Sequence, residues 1–250
     1  MSTSHPTYDP AFSLLTSFSY YPNDPTRFNL SRHLTRLSQA HQTLSHLEPS
    51  CWCASTPPVA SETISQAIQT VTSELRQDSR IRVTLQAPNG EPFVECFPLN
   101  PMPSYPVKLV LDNCATEYQG DPFMFVKTTN RTKYDNARQR KGATLRPSNS
   151  SESPPFDVIL YNPKGEITET SISNIAFKFT RNPQDEVWIT PNLSSGLLAG
   201  VKRAELLEKG EISEGVVTVE RVLEAQKDGT LKMICFNGVR GAFEAFLEIE

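Results

Sequence analysis

Apolar positions along the chain fall into two rhythms, one of period two and one near 3.6, and each marks an element. Residues 12–21, FSLLTSFSYY, are dense in aromatic and aliphatic side chains and predict a strand, which PNDP at 22–25 ends. Leu30, Leu34, Leu37, Leu44 and Leu47 then recur at helical spacing behind Asn29, a residue suited to cap a helix. A proline-bearing loop over 48–59 leads to a second amphipathic helix over 61–76, with Ile64, Ala67, Ile68, Val71 and Leu75 turned inward. Ile81, Val83 and Leu85 alternate with polar residues, which predicts a half-buried strand. Pro88-Asn89-Gly90 turns the chain into a partner strand near 93–97. The first hundred residues thus predict a compact α+β unit.

Residues 99–106, LNPMPSYP, form a semi-rigid connector with prolines at 101, 103 and 106. It suggests a small α+β domain over 1–110 and a larger one over 111–250. A strand is expected at 107–111. The apolar run Phe123, Met124, Phe125 and Val126 is just long enough for a buried strand, with Lys127 at its mouth. Residues 131–140 are polar and helix-compatible, with Tyr134 and Ala137 on one face. The low-complexity stretch 141–155 reads as a mobile surface loop. Beyond it the pattern predicts a strand at 157–161, a tight turn at 162–165 and a returning strand at 166–169. Strands at 175–179 and 187–190 should pair across the polar turn 181–185. A helix is expected from Gly200 to Glu208, stopped by Gly210. A final strand at 232–236 ends in the glycine-bearing turn 237–241.

Composition narrows the function classes. With 38% hydrophobic and 21% charged residues and a net charge of −4, nothing favours nucleic acid or an anionic membrane electrostatically. The basic residues between Lys127 and Lys141 are not interleaved with stacking aromatics and read as a solvated helix. No run of 18 apolar residues occurs, and the first residues have neither the basic start nor the apolar core of a secretory signal. Five scattered cysteines, an odd count, suggest reduced thiols and a cytoplasmic location. Cys51 and Cys53 are too close for a typical metal knuckle and no His/Cys pair completes a zinc set, so no metal is expected. Without secretion, the N-x-Ser/Thr patterns at Asn29, Asn130, Asn149 and Asn192 carry no meaning.

Three features carry candidate chemistry. A lysine at the mouth of a buried strand loses part of its hydration, which frees its amine for Schiff-base chemistry; the alternative is a lysine that reaches the surface. Arg36 lies beside the leucine stripe, either as a solvated helix residue or as an anion ligand with a packed stem. Gly200 opens a helix whose first N–H groups could meet a phosphate.

Taken together and in order, HLTRL, VKTTNR, GEITETSISNIAF, TPNLSSGLLAGVKR and CFNGVRG resemble the class IV aminotransferase family, the fold-type IV pyridoxal-phosphate enzymes. The resemblance spans about residues 12–241 and is strongest to aminodeoxychorismate lyase-like members of fungal type. It implies a two-domain α+β and α/β fold like that of D-amino-acid aminotransferases, with the cofactor between the domains and usually a homodimer. It further implies that Lys127 forms the Schiff base with pyridoxal 5'-phosphate and shuttles protons. Glu169 matches the acid that pairs with the pyridine nitrogen, and Asn174 belongs to the same motif. Arg36, Gly200, Val201, Asn237 and Gly238 match the positions that hold the cofactor phosphate. Two departures stand out: Thr132 occupies the place of a family tyrosine that touches the cofactor, with Tyr134 two residues on, and the N-terminus is short. Arg131, Arg240 and Tyr134 are candidates for the substrate side. The function implied is a 4-amino-4-deoxychorismate lyase giving 4-aminobenzoate and pyruvate. Alternatives are a transaminase of D-amino acids, branched-chain amino acids or R-amines, and a non-catalytic homologue that binds the cofactor.

Overall fold

The structure is a computed structural model that describes residues 8–25, 27–100, 102–180 and 187–249. The chain divides into two compact units, and neither division follows a single cut. The first unit holds Met1–Asn100 and Gly120–Arg131; the second holds Pro101–Gln119 and Thr132–Glu250. The expected split at 1–110 and 111–250 did not return residues 120–131 to the first unit.

In the first unit, β1 (Leu14–Tyr20) leads to α1 (Leu30–Leu47), the short α2 (Trp52–Ser55) and α3 (Ser61–Thr72), then to β2 (Ser79–Gln86) and β3 (Glu91–Pro98). The strands form an antiparallel sheet in the order β1-β2-β3, with Leu14 opposite Leu85, Thr16 opposite Val83 and Phe18 opposite Ile81. That register places Leu14, Phe18, Ile81, Val83 and Leu85 in one core with Leu37, Ala40 and Leu44 of α1 and Ile64 and Ile68 of α3. Asn29 caps α1 as expected, accepting from the Arg32 N–H. Leu47, however, is exposed, and His33 and His41 lie on the buried face instead. The loop over 48–59 contains α2, whose Trp52 donates its indole N–H to the Phe12 carbonyl at 2.8 Å.

The returning segment corrects one expectation. Residues 123–126 are not a strand. Pro122–Met124 form a 3-10 turn, started by the Asp121 side chain, which accepts from the Phe123 N–H at 3.0 Å. Proline at the first position and an acidic cap before it favour a helical turn over an extended run. Phe123 and Val126 still plug the first core, so their apolar character is explained without a strand.

The second unit is built on an eight-stranded sheet in the order β6-β5-β4-β11-β10-β7-β8-β9. Its elements in chain order are β4 (Val107–Leu111), α4 (Thr132–Lys141), β5 (Asp157–Tyr161), β6 (Ile167–Thr170), β7 (Asn174–Phe179), β8 (Trp188–Pro191), α5 (Val201–Glu208), β9 (Ile212–Gly215), α6 (Val219–Lys227), β10 (Leu231–Asn237) and β11 (Gly241–Leu247). Strands β7 and β8 pair as expected, while β9, α6 and β11 add to the expected elements. The sheet curls: Ile167 N–H donates to the Val217 carbonyl at 2.7 Å, linking the β6 edge to the residues just past β9. The turn expected at 181–185 lies outside the described residues.

The stretch 141–155 is tied down, which the reading of a mobile loop did not anticipate. The buried Lys108 ammonium donates to the Ser151 carbonyl at 2.6 Å and the Ser153 carbonyl at 3.1 Å, and pairs with Glu248 at 2.8 Å. Backbone bonds from Thr144 to Pro155 and from Leu145 to Phe156 close its base. Among the described residues, no helix is long and apolar enough to cross a membrane.

Candidate active site

Each unit carries its own share of the expected site residues. In the first, β1 and the segment returning after Gly120 are stitched together by backbone bonds. Leu15 N–H donates to the Lys127 carbonyl at 2.8 Å, and Thr129 N–H to the Ser13 carbonyl at 2.9 Å. Thr129 Oγ1 in turn accepts from Ser13 N–H at 2.8 Å. Lys127 therefore stands half-buried between buried Val126 and Thr128, held by its backbone bond to Leu15 and not within a strand of its own. Arg131 follows, half-buried, at the end of the same segment.

Arg36 is the most informative residue of this unit. It sits on the face of α1 that packs on β1, and its Nη2 donates to Thr16 Oγ1. The Nε is sealed from water and, among the described residues, has no hydrogen-bond partner. Burial lowers the guanidinium to about 10, and among the described residues no carboxylate offsets it. A buried guanidinium without a counter-charge is costly, and the arrangement suits a site that an anion completes. His33, one turn earlier, is also buried and is lowered to about 3 by burial and by the Arg36 charge, so its ring is neutral.

In the second unit, Glu169 on β6 is 4% exposed, and three donors converge on its carboxylate. Tyr134 O–H reaches Oε1 at 2.8 Å, Leu198 N–H reaches Oε1 at 3.1 Å, and Asn174 Nδ2 reaches Oε2 at 3.2 Å. The three come from α4, from the segment before α5 and from the start of β7, so the carboxylate is fixed in one orientation. Asn174 Nδ2 also donates to the Leu198 carbonyl at 2.9 Å. Its Oδ1 packs so closely on Gly200 that no Cβ would fit there. Gly200 precedes Val201 at the start of α5 and offers no side-chain cap, which leaves the first N–H groups of the helix open. Gly196 has φ +98°, and a Cβ on it would meet the Tyr118 ring at 2.5 Å; both glycines let this segment run against its neighbours.

The turn after β10 is shaped by Asn237. Its Oδ1 accepts from Val239 N–H at 2.9 Å and Arg240 N–H at 2.8 Å, and its Nδ2 donates to Ser173 Oγ at 2.9 Å. Gly238 lies within that turn. The Arg240 guanidinium stands 5.2 Å from the Phe156 ring centroid. The structure thus gathers Glu169, Asn174, Tyr134 and Gly200 into one bonded cluster, and places Arg36 and Lys127 on the other unit.

One expected residue takes another role, and three participants were not expected. Tyr134 was placed on the substrate side, and its hydroxyl is found on Glu169; the spacing of 35 residues gives no sign of that bond. The Leu198 backbone N–H has no sequence signature. His33 and Thr16, the companions of Arg36, did have one in part: His33 is the first residue of HLTRL, three before Arg36 and so on the same helix face.

The fold is shared with solved structures of aminotransferases and 4-amino-4-deoxychorismate lyases. A crystal structure from Mesorhizobium loti, described as a "putative amino-acid aminotransferase", superposes with a TM-score of 0.75 at 25% identity over 95% of this chain and all of that one. The 4-amino-4-deoxychorismate lyase from Pseudomonas aeruginosa does so with a TM-score of 0.64 at 19% identity, over 94% and 82%. A Schizosaccharomyces pombe protein named "putative aminodeoxychorismate lyase" is 33% identical over 194 residues, 76% of this chain and 72% of its own. The pattern of the family described as amino-transferase class IV matches residues 13–227. The chain belongs to the class IV aminotransferase family. It is accordingly a pyridoxal-phosphate enzyme, a lyase or a transaminase. Each unit taken by itself has groups whose chemistry fits that cofactor: in the first, the Arg36 guanidinium, with an unmatched Nε–H, suits an anion such as its phosphate; in the second, the open start of α5 suits an anion and the oriented Glu169 carboxylate suits a protonated ring nitrogen.

Proposed function

We propose that the protein is a 4-amino-4-deoxychorismate lyase, releasing 4-aminobenzoate and pyruvate. The observation that carries the cofactor assignment is the buried Glu169 carboxylate with its three converging donors. What favours the lyase over its relatives is the 33% identity to the fission yeast protein across most of both chains. In this reading Lys127 holds the cofactor covalently and takes the proton from the substrate carbon that bears nitrogen. Bound pyridoxal phosphate supplies an electron sink for the charge left there. The enolpyruvyl group then leaves as pyruvate while the ring becomes aromatic. Glu169 would pair with the pyridine nitrogen, its carboxylate oriented by Asn174 and Tyr134. Arg36, the N–H groups at Gly200 and Val201, and the Asn237-Gly238 turn take the phosphate. Arg131 and Arg240 are the candidates for substrate carboxylates. The reading extends, on family resemblance, to a homodimer, and on the free cysteines to the cytoplasm.

That second reading, a transaminase of D-amino acids, branched-chain amino acids or R-amines, uses the same cofactor residues and draws on the Mesorhizobium structure. The experiment that separates them supplies 4-amino-4-deoxychorismate with pyridoxal phosphate and no keto acid. Equal amounts of pyruvate and 4-aminobenzoate, lost in Lys127→Ala, support the lyase. Amino transfer to an added keto acid without pyruvate from that substrate supports the transaminase, and neither product defeats both.

A further inference from the structure

The buried polar groups around Arg36 form a chain that the proposed phosphate contact does not by itself require. Thr16, on β1, is 1% exposed and faces α1. Its Oγ1 lies 2.7 Å from His33 Nδ1 and accepts from Arg36 Nη2. His33 Nδ1 lies 3.5 Å from the same Nη2, a longer and weaker contact than the one the hydroxyl makes. The directions of these bonds follow from chemistry. A guanidinium only donates, so Thr16 must accept from Arg36, and its own O–H is then free to donate. The neutral His33 ring, with Nδ1 unprotonated, is the acceptor that takes it. Phe18 packs against the ring at 4.9 Å between centroids and fixes its plane. The result is a relay, His33 to Thr16 to Arg36, that commits one guanidinium N–H and leaves the Nε–H buried and unmatched.

We propose that Thr16 and His33 are positioning residues that aim the Arg36 guanidinium at an anionic ligand, the phosphate of the cofactor. The inference rests on the reading above that Arg36 takes this phosphate. Three features of the geometry support it. Arg36 has a side chain long enough to adopt many rotamers, and a single buried hydroxyl on a rigid strand selects one of them. The hydroxyl cannot turn away, because His33 holds its proton. A carboxylate in place of Thr16 would also hold the guanidinium, but it would neutralise the charge that the ligand needs; a hydroxyl orients without neutralising.

The test titrates the purified full chain with pyridoxal phosphate and, separately, with pyridoxal, which lacks the phosphate, following the absorbance of each. Arg36→Ala should weaken pyridoxal phosphate strongly and pyridoxal little. Thr16→Val, which keeps the shape and removes the hydroxyl, should weaken pyridoxal phosphate about tenfold, the scale of one hydrogen bond to a charged group, and pyridoxal by less than about twofold. Thr16→Ser should restore the wild-type ratio, and His33→Leu should move the ratio in the same direction as Thr16→Val. If Thr16→Val weakens both ligands alike, the hydroxyl merely supports the fold and the proposal is overturned. An unchanged affinity for pyridoxal phosphate overturns it as well. If Arg36→Ala itself fails to discriminate between the two ligands, the phosphate role of Arg36 falls and takes the relay with it, an outcome distinct from the failure of Thr16 alone.

Discussion

Gly200→Ala is the substitution whose effect the structure defines most sharply. The backbone there, at φ −74° and ψ 141°, is open to alanine, so no conformational strain is expected. The whole effect comes from the new Cβ, which would overlap Asn174 Oδ1. To make room, the Asn174 side chain must turn, and it then loses two bonds from its Nδ2. One goes to the Glu169 carboxylate at 3.2 Å and one to the Leu198 carbonyl at 2.9 Å. A bond to a charged acceptor contributes about 1.5–3 kcal/mol and a neutral one about 0.5–1.5 kcal/mol, so a loss of about 2–4 kcal/mol follows. Shifting the start of α5 instead would cost a similar amount, about 1–3 kcal/mol, through overpacking. Urea unfolding followed by circular dichroism, on wild type, Gly200→Ala, Asn174→Ala and the double variant, measures this. Asn174→Ala alone deletes the same two bonds and should cost about as much. In its background Gly200→Ala meets no obstacle and should add less than about 0.5 kcal/mol, the tolerance expected of independent sites. An equal cost of Gly200→Ala in both backgrounds would refute the argument, because the cost would then not pass through Asn174.

Further outcomes are expected. Tyr134→Phe removes one of the three donors to Glu169 and should cost about 1.5–3 kcal/mol, read in a chain of this length as a fall in Tm of about 2–4 °C per kcal/mol. An unshifted Tm would mean that water replaces the hydroxyl. His33 is lowered in the fold from 6.5 to about 3, so the unfolded chain binds the extra proton between those values. Stability should therefore be lost as pH falls from about 6.5 towards 3, by at most about 1.4 kcal/mol per pH unit, and His33→Leu should flatten that part of the profile. A profile as steep in His33→Leu as in wild type would remove His33 as the cause. Lys108→Met leaves the Ser151 and Ser153 carbonyls without their buried donor, so proteinase K should cut within 146–153 faster than in wild type. An unchanged rate would show that the backbone bonds at the base hold the segment without it.

The elements that were legible from sequence are those whose signals are local. Asn29 and the leucines behind it define α1 within a few turns, and the alternation of Ile81, Val83 and Leu85 defines β2 within six residues. The run 123–126 misleads because its apolar character serves core filling, while Asp121 and Pro122 set the backbone; a local period cannot separate these. The candidate site divides in the same way. Glu169, Asn174 and Gly200 stand in continuous motifs. The Tyr134 bond to Glu169 and the Thr16 bond to Arg36 join elements far apart in the chain, and only the folded backbone brings them together. The pinning of residues 141–155 by Lys108 is similarly invisible, since a lysine in VKLVL looks like any strand residue with a solvated end.

The interrupted course of the first unit has a consequence for synthesis on the ribosome. Leu15 at the start of β1 and Ser13 just before it take backbone partners from Lys127 and Thr129, and Leu14 bridges Thr128, all more than a hundred residues downstream. In the second unit β4 pairs with β11, so a strand made before the midpoint of the chain waits for one made at its end. The first unit has its three strands by residue 98 but waits for Phe123 and Val126 to fill its core, and the second cannot close its sheet until β11 is made. Contacts of this span slow folding and leave strand edges uncovered meanwhile. The second unit therefore stays unfinished until nearly the whole chain has been made, with the β4 edge uncovered until β11 arrives.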